Sequence, residues 1–342
     1  MGTADPTPPP PAQVVLQMTT GVWTAQALWA AALLGVADQL ASGPKTREEL
    51  AAATRTLPGP LYRVLRALAC VGVFAEQPDG RFANTPASET LRSDVPGSLR
   101  AYVVFVGQPW HVAAFGELLH SLRTGRPAVE RVIGKPIWDF FASNAEQARI
   151  FNEGMTGIIA ETVEAVREAY DFGGIETLVD VGGGLGVLLG AILAANPTLC
   201  GVLFDQPSVV GGAAATFARL GVTARATAVG GDFFQEVPRG DAYILSHIIH
   251  DWDDERSIAI LRTIHRCAAP GARLLLVEAV IPTGNEFSFG KLLDLEMLAL
   301  PGGVERTEAE YRSLLGAGGF RLARVLPTRA PTNIVEAFAE PA

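Results

Sequence analysis

Residues 178–186 have the sequence LVDVGGGLG, and residues 201–205 have the sequence GVLFD. The first four residues are typical of a buried strand, the glycines of a tight turn without side chains, and Val187–Ala195 of a helix. Gly201–Phe204 has the pattern of a second buried strand, which ends at Asp205. This order predicts an α/β fold in which a ligand lies above the turn and Asp205 meets a ribose diol.

The spacing of the glycines narrows the choice of ligand. A dinucleotide-binding turn has the pattern Gly-x-Gly-x-x-Gly, and its last glycine would fall at Val187. The chain instead has Gly-x-Gly-x-Gly from Gly182 to Gly186, after Asp180, which is similar to the cofactor turn of S-adenosylmethionine (SAM) methyltransferases. A turn that only lets a helix and a strand pack closely is the alternative, and Asp205 favours a cofactor site.

Composition and charge exclude several classes of protein. The 342 residues suffice for two or three domains, and 49% hydrophobic against 18% charged residues is typical of a globular chain. No apolar stretch approaches the roughly 20 residues that span a bilayer. The net charge of −9 argues against a nucleic-acid partner. The three cysteines form no zinc or disulfide pattern and no signal peptide begins the chain, which favours the cytoplasm.

Residues 1–12 are predicted to be a disordered Pro-rich tail, and residues 13–100 a small helical domain. A capping box at Thr46 and Glu49 begins one helix, residues 58–60 (PGP) are expected to break the chain, and Leu61–Val71 forms a second helix. A hairpin turn follows at residues 77–80. Two helices and a hairpin make a winged-helix pattern.

A role in dimerisation fits this domain better than DNA binding does. Residues 1–100 contain eight basic and eight acidic residues, so they lack the basic surface that phosphate contacts require. The stretch from Val14 to Leu40 is apolar on nearly all sides, which favours burial against a second subunit.

The rest of the chain has two further regions. Residues 101–170 are helical in pattern and rich in aromatic side chains, some of which we expect to line an aromatic substrate. Residues 171–342 alternate strands and helices, as a doubly wound sheet does. We predict seven strands: Leu178–Val181, Gly201–Phe204, Ala224–Val229, Asp241–Ser246, Arg273–Ala279, Phe320–Pro327 and Asn333–Phe338. The last two form an antiparallel hairpin at one edge, as in the methyltransferase version of this sheet.

A histidine and two acids form a second group of candidate functional residues. His250 follows a buried strand, at the carboxyl edge where open α/β sheets bind ligands. Methyl transfer to a phenol needs a base, because a phenol with a pKa of about 10 is largely protonated at neutral pH. Glu278 ends the following strand at the same edge, and Glu305 precedes a helix capped by Thr307. A carboxylate on the other ring nitrogen would fix the imidazole.

A metal site is an alternative interpretation of this histidine. His247 and His250 lie three residues apart with acids nearby, but no third ligand follows at a recognised spacing. We therefore predict no metal. A loop histidine that is merely solvated is the other alternative, and the cofactor turn on the neighbouring strand argues against it.

Together, these motifs resemble those of the metal-independent, SAM-dependent O-methyltransferases of plant caffeic acid and bacterial polyketide pathways, over nearly the whole chain. The motifs that carry the resemblance are DVGGG (residues 180–184), FD (204–205), GGDF (230–233), HDWDD (250–254), Glu278 and GGVERT (302–307). The spacing from His250 through Glu278 to Glu305 is similar to that of the family's catalytic trio.

The resemblance implies a role for each site residue. Gly182 would face the methionine part of SAM, Asp205 would bind the ribose, and Asp232 and Phe233 would meet the adenine. The implied catalytic residues are His250 as the base, Glu278 and Glu305. The implied cofactor residues are Asp180, Gly182, Gly184, Asp205, Gly231, Asp232, Phe233, Ser246 and Trp252, and those of the acceptor pocket are Phe151, Met155 and Met297. The resemblance also implies a homodimer in which each subunit closes the other's site.

Two positions depart from the family pattern. Ser246 stands where plant members often have lysine, and Leu185 where many have serine or threonine. Neither removes a charge that the chemistry requires. Some bacterial relatives perform C- or N-methylation, or hydroxylation, on this fold, so the acceptor atom stays open.

The resemblance therefore implies an O-methyltransferase that acts on a phenolic or enolic hydroxyl of an aromatic or polyketide-like small molecule, in bacterial secondary metabolism. A nicotinamide oxidoreductase would use a similar sheet, and the mismatch at Val187 argues against it. A winged-helix regulator with a vestigial ligand domain is the non-enzyme alternative. The equal numbers of acidic and basic residues in residues 1–100 and the presence of His250, Glu278 and Glu305 argue against that alternative.

Overall fold

The computed structural model describes residues 10–341, which form two compact units. The first unit comprises the chain up to Pro109 together with Arg149–Ile158, and the second comprises Trp110–Ala148 and the chain from Ile159 onward. This division differs from the predicted boundaries at 100 and 170, because residues 101–170 are shared between the two units. A single helix over residues 145–169 contributes a stretch to each.

The first unit is helical with one small hairpin. Its elements are α1 (Pro11–Leu33), α2 (Val36–Gln39), α3 (Arg47–Thr54), α4 (Pro58–Cys70), β1 (Phe74–Glu76), β2 (Phe82–Asn84), α5 (Pro86–Glu89) and α6 (Arg100–Val106). The strands β1 and β2 pair antiparallel around the predicted turn, and Thr46 and Glu49 form the predicted capping box. The predicted winged-helix pattern is confirmed.

Three details of this unit differ from the expectation. Pro11 and Ala12 begin α1 instead of belonging to the tail, whose first nine residues lie outside the described part of the chain. The long apolar stretch is interrupted at Gly35, whose left-handed φ of 67° separates α1 from α2. Residues 58–60 form the first turn of α4 instead of a break, because Pro58 at the first helical position needs no hydrogen-bond donor.

Helix α1 exposes a set of large apolar side chains. Val15, Leu16, Met18, Val22 and Trp23 are all more than half exposed. Other residues of α1 pack on α4 and α6 within the same unit. Contiguous exposed apolar surface marks an interaction site, so α1 is the part of this unit that we expect a second copy of the chain to cover.

The remaining elements build the second unit, apart from Pro109 of α7 and residues 149–158 of α11. They are α7 (Pro109–Gly116), α8 (Leu118–Thr124), α9 (Val129–Ile133), α10 (Ile137–Ser143), α11 (Ala145–Ala169), β3 (Thr177–Val181), α12 (Val187–Ala195), β4 (Cys200–Asp205), α13 (Pro207–Val210), α14 (Ala213–Arg219), β5 (Ala226–Gly230), β6 (Ala242–Ser246), α15 (Asp254–Cys267), β7 (Arg273–Glu278), α16 (Phe289–Ala299), α17 (Glu308–Ala317), β8 (Phe320–Pro327) and β9 (Asn333–Ala339).

Seven strands form one mixed sheet with the order β5-β4-β3-β6-β7-β9-β8. The first five in this order pair in parallel, whereas β9 pairs antiparallel with β7 and with β8. The predicted seven-stranded sheet with an antiparallel hairpin at one edge is confirmed. Strand β3 is the middle of the five parallel strands; it lies between β4 and β6 and leads into the glycine turn.

Both faces of the sheet are covered by helices, which makes the fold doubly wound. Leu178, Ile244 and Leu275 belong to a core with side chains of α11, α12 and α14. Their chain neighbours Val179 and Tyr243 belong to a second core with α15 and α17. Because successive side chains of a strand point to opposite faces, parallel strands buried on both sides are largely apolar. Strands β3, β6 and β7 follow this rule apart from Asp180 and the polar residues at their ends.

Two further observations concern the class of protein. Within residues 10–341, no helix has both the length and the hydropathy that crossing a membrane requires. Cys70 and Cys200 are exposed and Cys267 is half-buried, all as free thiols.

We expect Trp23→Glu, on the exposed side of α1, to convert the dimer into a monomer. Trp23 is 71% exposed in the single chain, and a carboxylate buried at an interface without a partner is strongly unfavourable. Light scattering coupled to size-exclusion chromatography measures the mass. Leu57→Glu is the matched control, since Leu57 is equally exposed in the same unit but outside α1, and it should leave the dimer intact. A dimeric Trp23→Glu protein would contradict the assignment.

Candidate active site

The glycine turn after β3 is open to a ligand. Gly182, Gly184 and Gly186 have φ values of 75°, 60° and 72°, in the left-handed region that side chains other than glycine rarely adopt. A Cβ atom at Gly184 would meet no other atom within 4 Å. The turn therefore presents bare backbone at the carboxyl edge of the sheet, directly before α12.

Asp180 lies beneath this turn. It is 1% exposed, and a Cβ atom at Gly183 would overlap its carboxylate. Burial and the nearby charge of Asp205 raise the pKa of Asp180 to about 7, and the backbone amide of Leu189 opposes the rise. Within residues 10–341, its carboxylate oxygens make no regular hydrogen bond. This position favours support of the turn from below over contact with a ligand on the open side.

Asp205 connects the ends of three neighbouring strands. Its Oδ2 accepts a hydrogen bond from the Gly184 amide at 2.8 Å, and its Oδ1 accepts one from the Gln206 amide at 2.6 Å. Its own carbonyl accepts from the amide of Gly231, which follows β5. Burial raises the pKa of Asp205, and the two amides at its carboxylate oppose the rise. The half-buried carboxylate is thus held beside the open turn with acceptor capacity left for hydroxyl groups.

An aromatic cluster follows β5 and β6. Trp252 makes edge-on contacts with Phe233 and Phe234, with ring centroids 6.1 and 5.0 Å apart. The ring of Trp138, from α10, stacks on Trp252 at 6.2 Å and 28°. Asp232 is exposed, and its carboxylate accepts a hydrogen bond from the Phe234 amide. The cluster provides a flat apolar surface close to a carboxylate, which suits a purine.

His250, Glu278 and Glu305 lie together. The imidazole Nδ1 donates to Oε1 of Glu305 at 2.6 Å and lies 3.6 Å from Oε2 of Glu278. Its Nε2 lies 3.7 Å from Oδ1 of Asp251. His250 is 5% exposed, and the two glutamates are 1% exposed or less. Because Nδ1 is engaged by Glu305, Nε2 is the ring nitrogen left to exchange a proton with a ligand.

The segment 302–306 holds this group in place. A Cβ atom at Gly303 would overlap the carbonyl oxygen of His250, so only glycine fits there. The next amide, of Val304, donates to that same oxygen at 2.8 Å. The amide of Glu305 donates to Asp294 of α16 at 2.8 Å. Arg306, which is 1% exposed, donates to the carbonyl oxygens of residues 249, 252 and 304 and to Asp254.

The charges around His250 set its protonation state. Burial opposes protonation, but Glu278, Asp251 and Glu305 outweigh it and raise the pKa of His250 to about 10. Burial and the charge of His250 lower the pKa of His247 to about 3. At neutral pH the site therefore holds one imidazolium among carboxylates and one neutral imidazole.

The loop from Ser246 to His250 lies directly against the glycine turn. A Cβ atom at Gly182 would lie 2.5 Å from Cδ1 of Ile248, so the turn and the loop are in van der Waals contact. The Ser246 hydroxyl is buried and has no hydrogen-bond partner among the described residues. His247 has a φ of 55°, a left-handed conformation that costs a residue with a side chain about 1–2 kcal/mol.

The structure brings a third potential metal ligand close to the two histidines, although the sequence spacing did not indicate one. The ligand atoms of His247, His250 and Glu278 lie within 4.8 Å of one another. However, Nδ1 of His250 already donates to Glu305, and Oε1 of Glu278 accepts two backbone hydrogen bonds. These existing bonds favour an acid–base group over a metal site.

The residues at this edge fit SAM. The open turn, the fixed Asp205 carboxylate, the Ser246 hydroxyl and the aromatic surface at Trp252 lie at the ends of the three adjacent parallel strands β4, β3 and β6 or in the loops that follow them. They offer hydrogen-bond acceptors for ribose and amino groups and an apolar surface for adenine.

The predicted acceptor residues fall in different units. Phe151 and Met155 are half-buried residues of the first unit, where the Phe151 ring contacts Phe105 at 5.4 Å. Met297 is a buried residue of α16 in the second unit, 6% exposed. Their shared role in binding an acceptor stays a prediction.

Sequence reasoning missed several residues of the site. Trp138 lies far along the chain from Trp252, Asp294 lies 11 residues before Glu305, and no local pattern links either pair. Arg306 was part of a quoted motif, but its burial and its bonds to three carbonyl oxygens were not anticipated. The left-handed backbone of His247 had no signal, because that conformation is most often signalled by glycine or asparagine.

Comparison with known proteins agrees with this geometry. Residues 115–321 match the O-methyltransferase domain family, and residues 16–94 match the O-methyltransferase dimerisation domain family. The chain is 46% identical to a phenazine O-methyltransferase of Lysobacter antibioticus, over 96% of each chain. It is 36% identical to an 8-amino-8-demethylriboflavin N,N-dimethyltransferase of Streptomyces davaonensis, over 95% of this chain and 94% of that one.

The solved structure of CalO1, a methyltransferase of calicheamicin biosynthesis in its SAH-bound form, superposes with a TM-score of 0.85. The two sequences are 38% identical, and the match covers 97% of this chain and 98% of that one.

We expect Arg306→Met to lower the free energy of unfolding by about 2–4 kcal/mol, because buried carbonyl oxygens lose their donor. Urea denaturation followed by circular dichroism measures the change. Arg312→Met is the control: Arg312 pairs with Glu308 on the surface, and loss of an exposed pair costs about 0–1 kcal/mol. Equal effects of the two substitutions would show that the Arg306 network does not stabilise the loop.

Proposed function

The chain belongs to the SAM-dependent O-methyltransferase family, and we propose that it methylates a phenolic or enolic hydroxyl of a small aromatic or polyketide-like molecule of bacterial secondary metabolism. SAM is the cofactor, and the dimerisation domain makes the protein a homodimer. The observation that carries the choice of oxygen is the 2.6 Å contact between Nδ1 of His250 and Glu305, with Glu278 as a second carboxylate. The proposed location is the cytoplasm, which the free thiols support.

The proposed cofactor site follows the carboxyl edge of the sheet. The carboxylate of Asp205 would accept hydrogen bonds from the ribose hydroxyls, since two amides hold it beside the turn. Asp232 and Phe233 would meet the adenine, next to Trp252. The cofactor's methionine part would lie along the turn at Gly182 and Gly184 and reach the Ser246 hydroxyl. Asp180 would act from beneath by fixing the turn, and Gly231 through its bond to Asp205.

His250 would serve as the base. When bound, SAM supplies a methyl group on a positively charged sulfur, which makes that carbon electrophilic. In the fraction of molecules in which His250 is neutral, its Nε2 would take the hydroxyl proton as the oxygen forms its bond to carbon. Glu305 would hold the ring through Nδ1 and stabilise the imidazolium, and Glu278 would add a second negative charge at 3.6 Å. The high pKa of His250 matches that of a phenol, so a proton passes between them without a large uphill step.

Methylation of nitrogen is the second candidate, because one relative is an N,N-dimethyltransferase. An uncharged amine already carries a free electron pair and does not need a base before it attacks, whereas a phenol gains strongly from one. The group around His250 therefore favours oxygen. A screen of matched aromatic phenols and amines, with the methylated atom identified by NMR of the product, separates the two candidates.

We expect His250→Ala to lower kcat by about 10²–10⁴-fold, the usual contribution of a general base, with SAM affinity nearly unchanged. Release of S-adenosylhomocysteine measures turnover, and calorimetry measures cofactor binding. His265→Ala is the matched control, because its ring binds a backbone carbonyl at the far end of α15. Unchanged turnover in His250→Ala would contradict the assigned base.

The pH and the acidity of the acceptor separate a base from a structural histidine. With a phenol of pKa about 10, kcat/KM should rise about tenfold per pH unit from pH 6 to 9. In this range the free enzyme has a protonated His250 and the free phenol is protonated, whereas the reactive complex holds one proton fewer than the two together. A nitrophenol that is ionised at pH 8 needs no base, so with this acceptor the turnover of His250→Ala should approach that of the unsubstituted enzyme. An equal loss of turnover in His250→Ala with both acceptors would argue for a purely structural role of His250.

We expect Asp205→Ala to raise the Kd for SAM by about 10–100-fold, because hydrogen bonds between a carboxylate and hydroxyl groups are lost. Isothermal calorimetry measures the affinity. Glu236→Ala removes an exposed carboxylate of the segment after β5 and should leave it unchanged. An unaltered Kd in Asp205→Ala would refute the proposed ribose contact.

A further inference from the structure

The orientation of Glu278 depends on two backbone amides. Its Oε1 accepts hydrogen bonds from the amides of Ile248 at 3.1 Å and Ile249 at 2.9 Å. Within the described part of the chain, its Oε2 has no hydrogen-bond partner. A buried glutamate has several side-chain rotamers, and these two bonds select the one that brings Oε2 to 3.6 Å from Nδ1 of His250.

The backbone at His247 aims both amides at one oxygen. Ser246 still pairs with Val277 in the sheet, and the amide of His247 donates to the Val277 carbonyl at 3.1 Å. The chain then takes a φ of 55° at His247, followed by a φ of −116° and a ψ of −50° at Ile248. A left-handed residue followed by a right-handed one makes successive amides converge on an anion, and here that anion is the side chain of Glu278.

We propose that the left-handed backbone of His247 forms a two-amide clamp which fixes the Glu278 carboxylate beside His250, and that His247 is through this clamp a positioning residue for the reaction. The imidazole of His247 is not the essential part; its backbone conformation is. The consequence for the reaction rests on the proposed role of His250 as base, whereas the clamp itself does not.

The clamp has an electrostatic consequence that can be measured without an acceptor. Glu278 is one of the charges that raise the pKa of His250, with Asp251 and Glu305. The other titratable groups that face these carboxylates are His247, which stays neutral, Tyr311 and Arg306 behind them, and Asp294, which accepts a hydrogen bond from the amide of Glu305. If Glu278 is released from the clamp and turns away, the pKa of His250 must fall.

Four substitutions at His247 distinguish the effect of its backbone conformation from that of its imidazole ring, because all four remove the ring but differ in how well they accept a left-handed φ. Glycine and asparagine accept a left-handed φ, whereas alanine and above all valine resist it. We would titrate His250 by NMR in full-length protein labelled with ¹⁵N-histidine, with His250→Gln identifying its signal. We expect His247→Gly and His247→Asn to keep the His250 pKa high, and His247→Ala and His247→Val to lower it towards the ordinary histidine range.

Turnover and folding are measured on the same variants. If the proposed function holds, kcat should be about 10–100-fold lower in His247→Val than in His247→Gly, since misplacement near the reacting atoms is costly. Arg55 is the matched control for strain, because it too has a φ of 55° but lies in the first unit. Arg55→Val should lower the melting temperature without moving the His250 pKa. If His247→Val does not fold, the contrast between His247→Ala and His247→Gly decides.

The outcomes distinguish this inference from the proposed function. An equal His250 pKa in His247→Gly and His247→Ala would overturn the clamp. If the His250 pKa fell as far in His247→Gly and His247→Asn as in His247→Val, the effect would come from loss of the imidazole ring, and the clamp would again be overturned. If the NMR result is as expected but His250→Ala retains full turnover, the clamp stands and the assigned base is wrong.

Discussion

Parallel pairing of five adjacent strands is the constraint on which this site depends. Because β5, β4, β3, β6 and β7 all end at the same edge of the sheet, the groups that follow them converge there although they are distant in sequence. The register places Ser246 opposite Val277, so that Glu278 meets the loop that carries His250. A slip of one residue would turn Glu278 to the opposite face of the sheet. The two apolar cores, one on each face, hold the register in place.

The second feature is the balance of charge in a buried volume. Burial alone would favour the neutral form of each group around His250. The carboxylates of Asp251, Glu278 and Glu305 instead lie 2.6 to 3.7 Å from a ring nitrogen of His250, and their attraction keeps the imidazole charged. The buried guanidinium of Arg306 stabilises the backbone around them by donating to three carbonyl oxygens. When it loses its proton, His250 is therefore a strong base, well matched to a weakly acidic hydroxyl.

Strain is concentrated where the chemistry is proposed to occur. Among the described residues other than glycine, His247 and Arg55 have a positive φ. Arg55 ends helix α3, where a left-handed residue is common. His247 lies between a strand and the residue proposed as the base, where such a conformation is expected only if the surrounding contacts impose it. The bond from its amide to the Val277 carbonyl and the contact between Ile248 and Gly182 are those contacts.

Much of the fold could be predicted from the sequence. The seven strands lie within a few residues of their predicted bounds, and the predicted caps at Thr46 and Thr307 are formed. These features follow from local patterns of apolar residues, glycines and capping side chains. The predicted break at residues 58–60 was wrong, because proline stops a helix only beyond its first turn, and these residues form that turn.

The sequence by itself determined the strands of the sheet, its glycine turn and which side chains follow those strands, because strand positions and burial follow from short-range patterns. Only the tertiary structure decided that Glu305 meets His250 across 55 residues, that Trp138 stacks on Trp252, and that two amides beyond His247 converge on Glu278. Those contacts depend on side-chain directions and backbone angles that are fixed by packing between distant segments. No local pattern of residues specifies them.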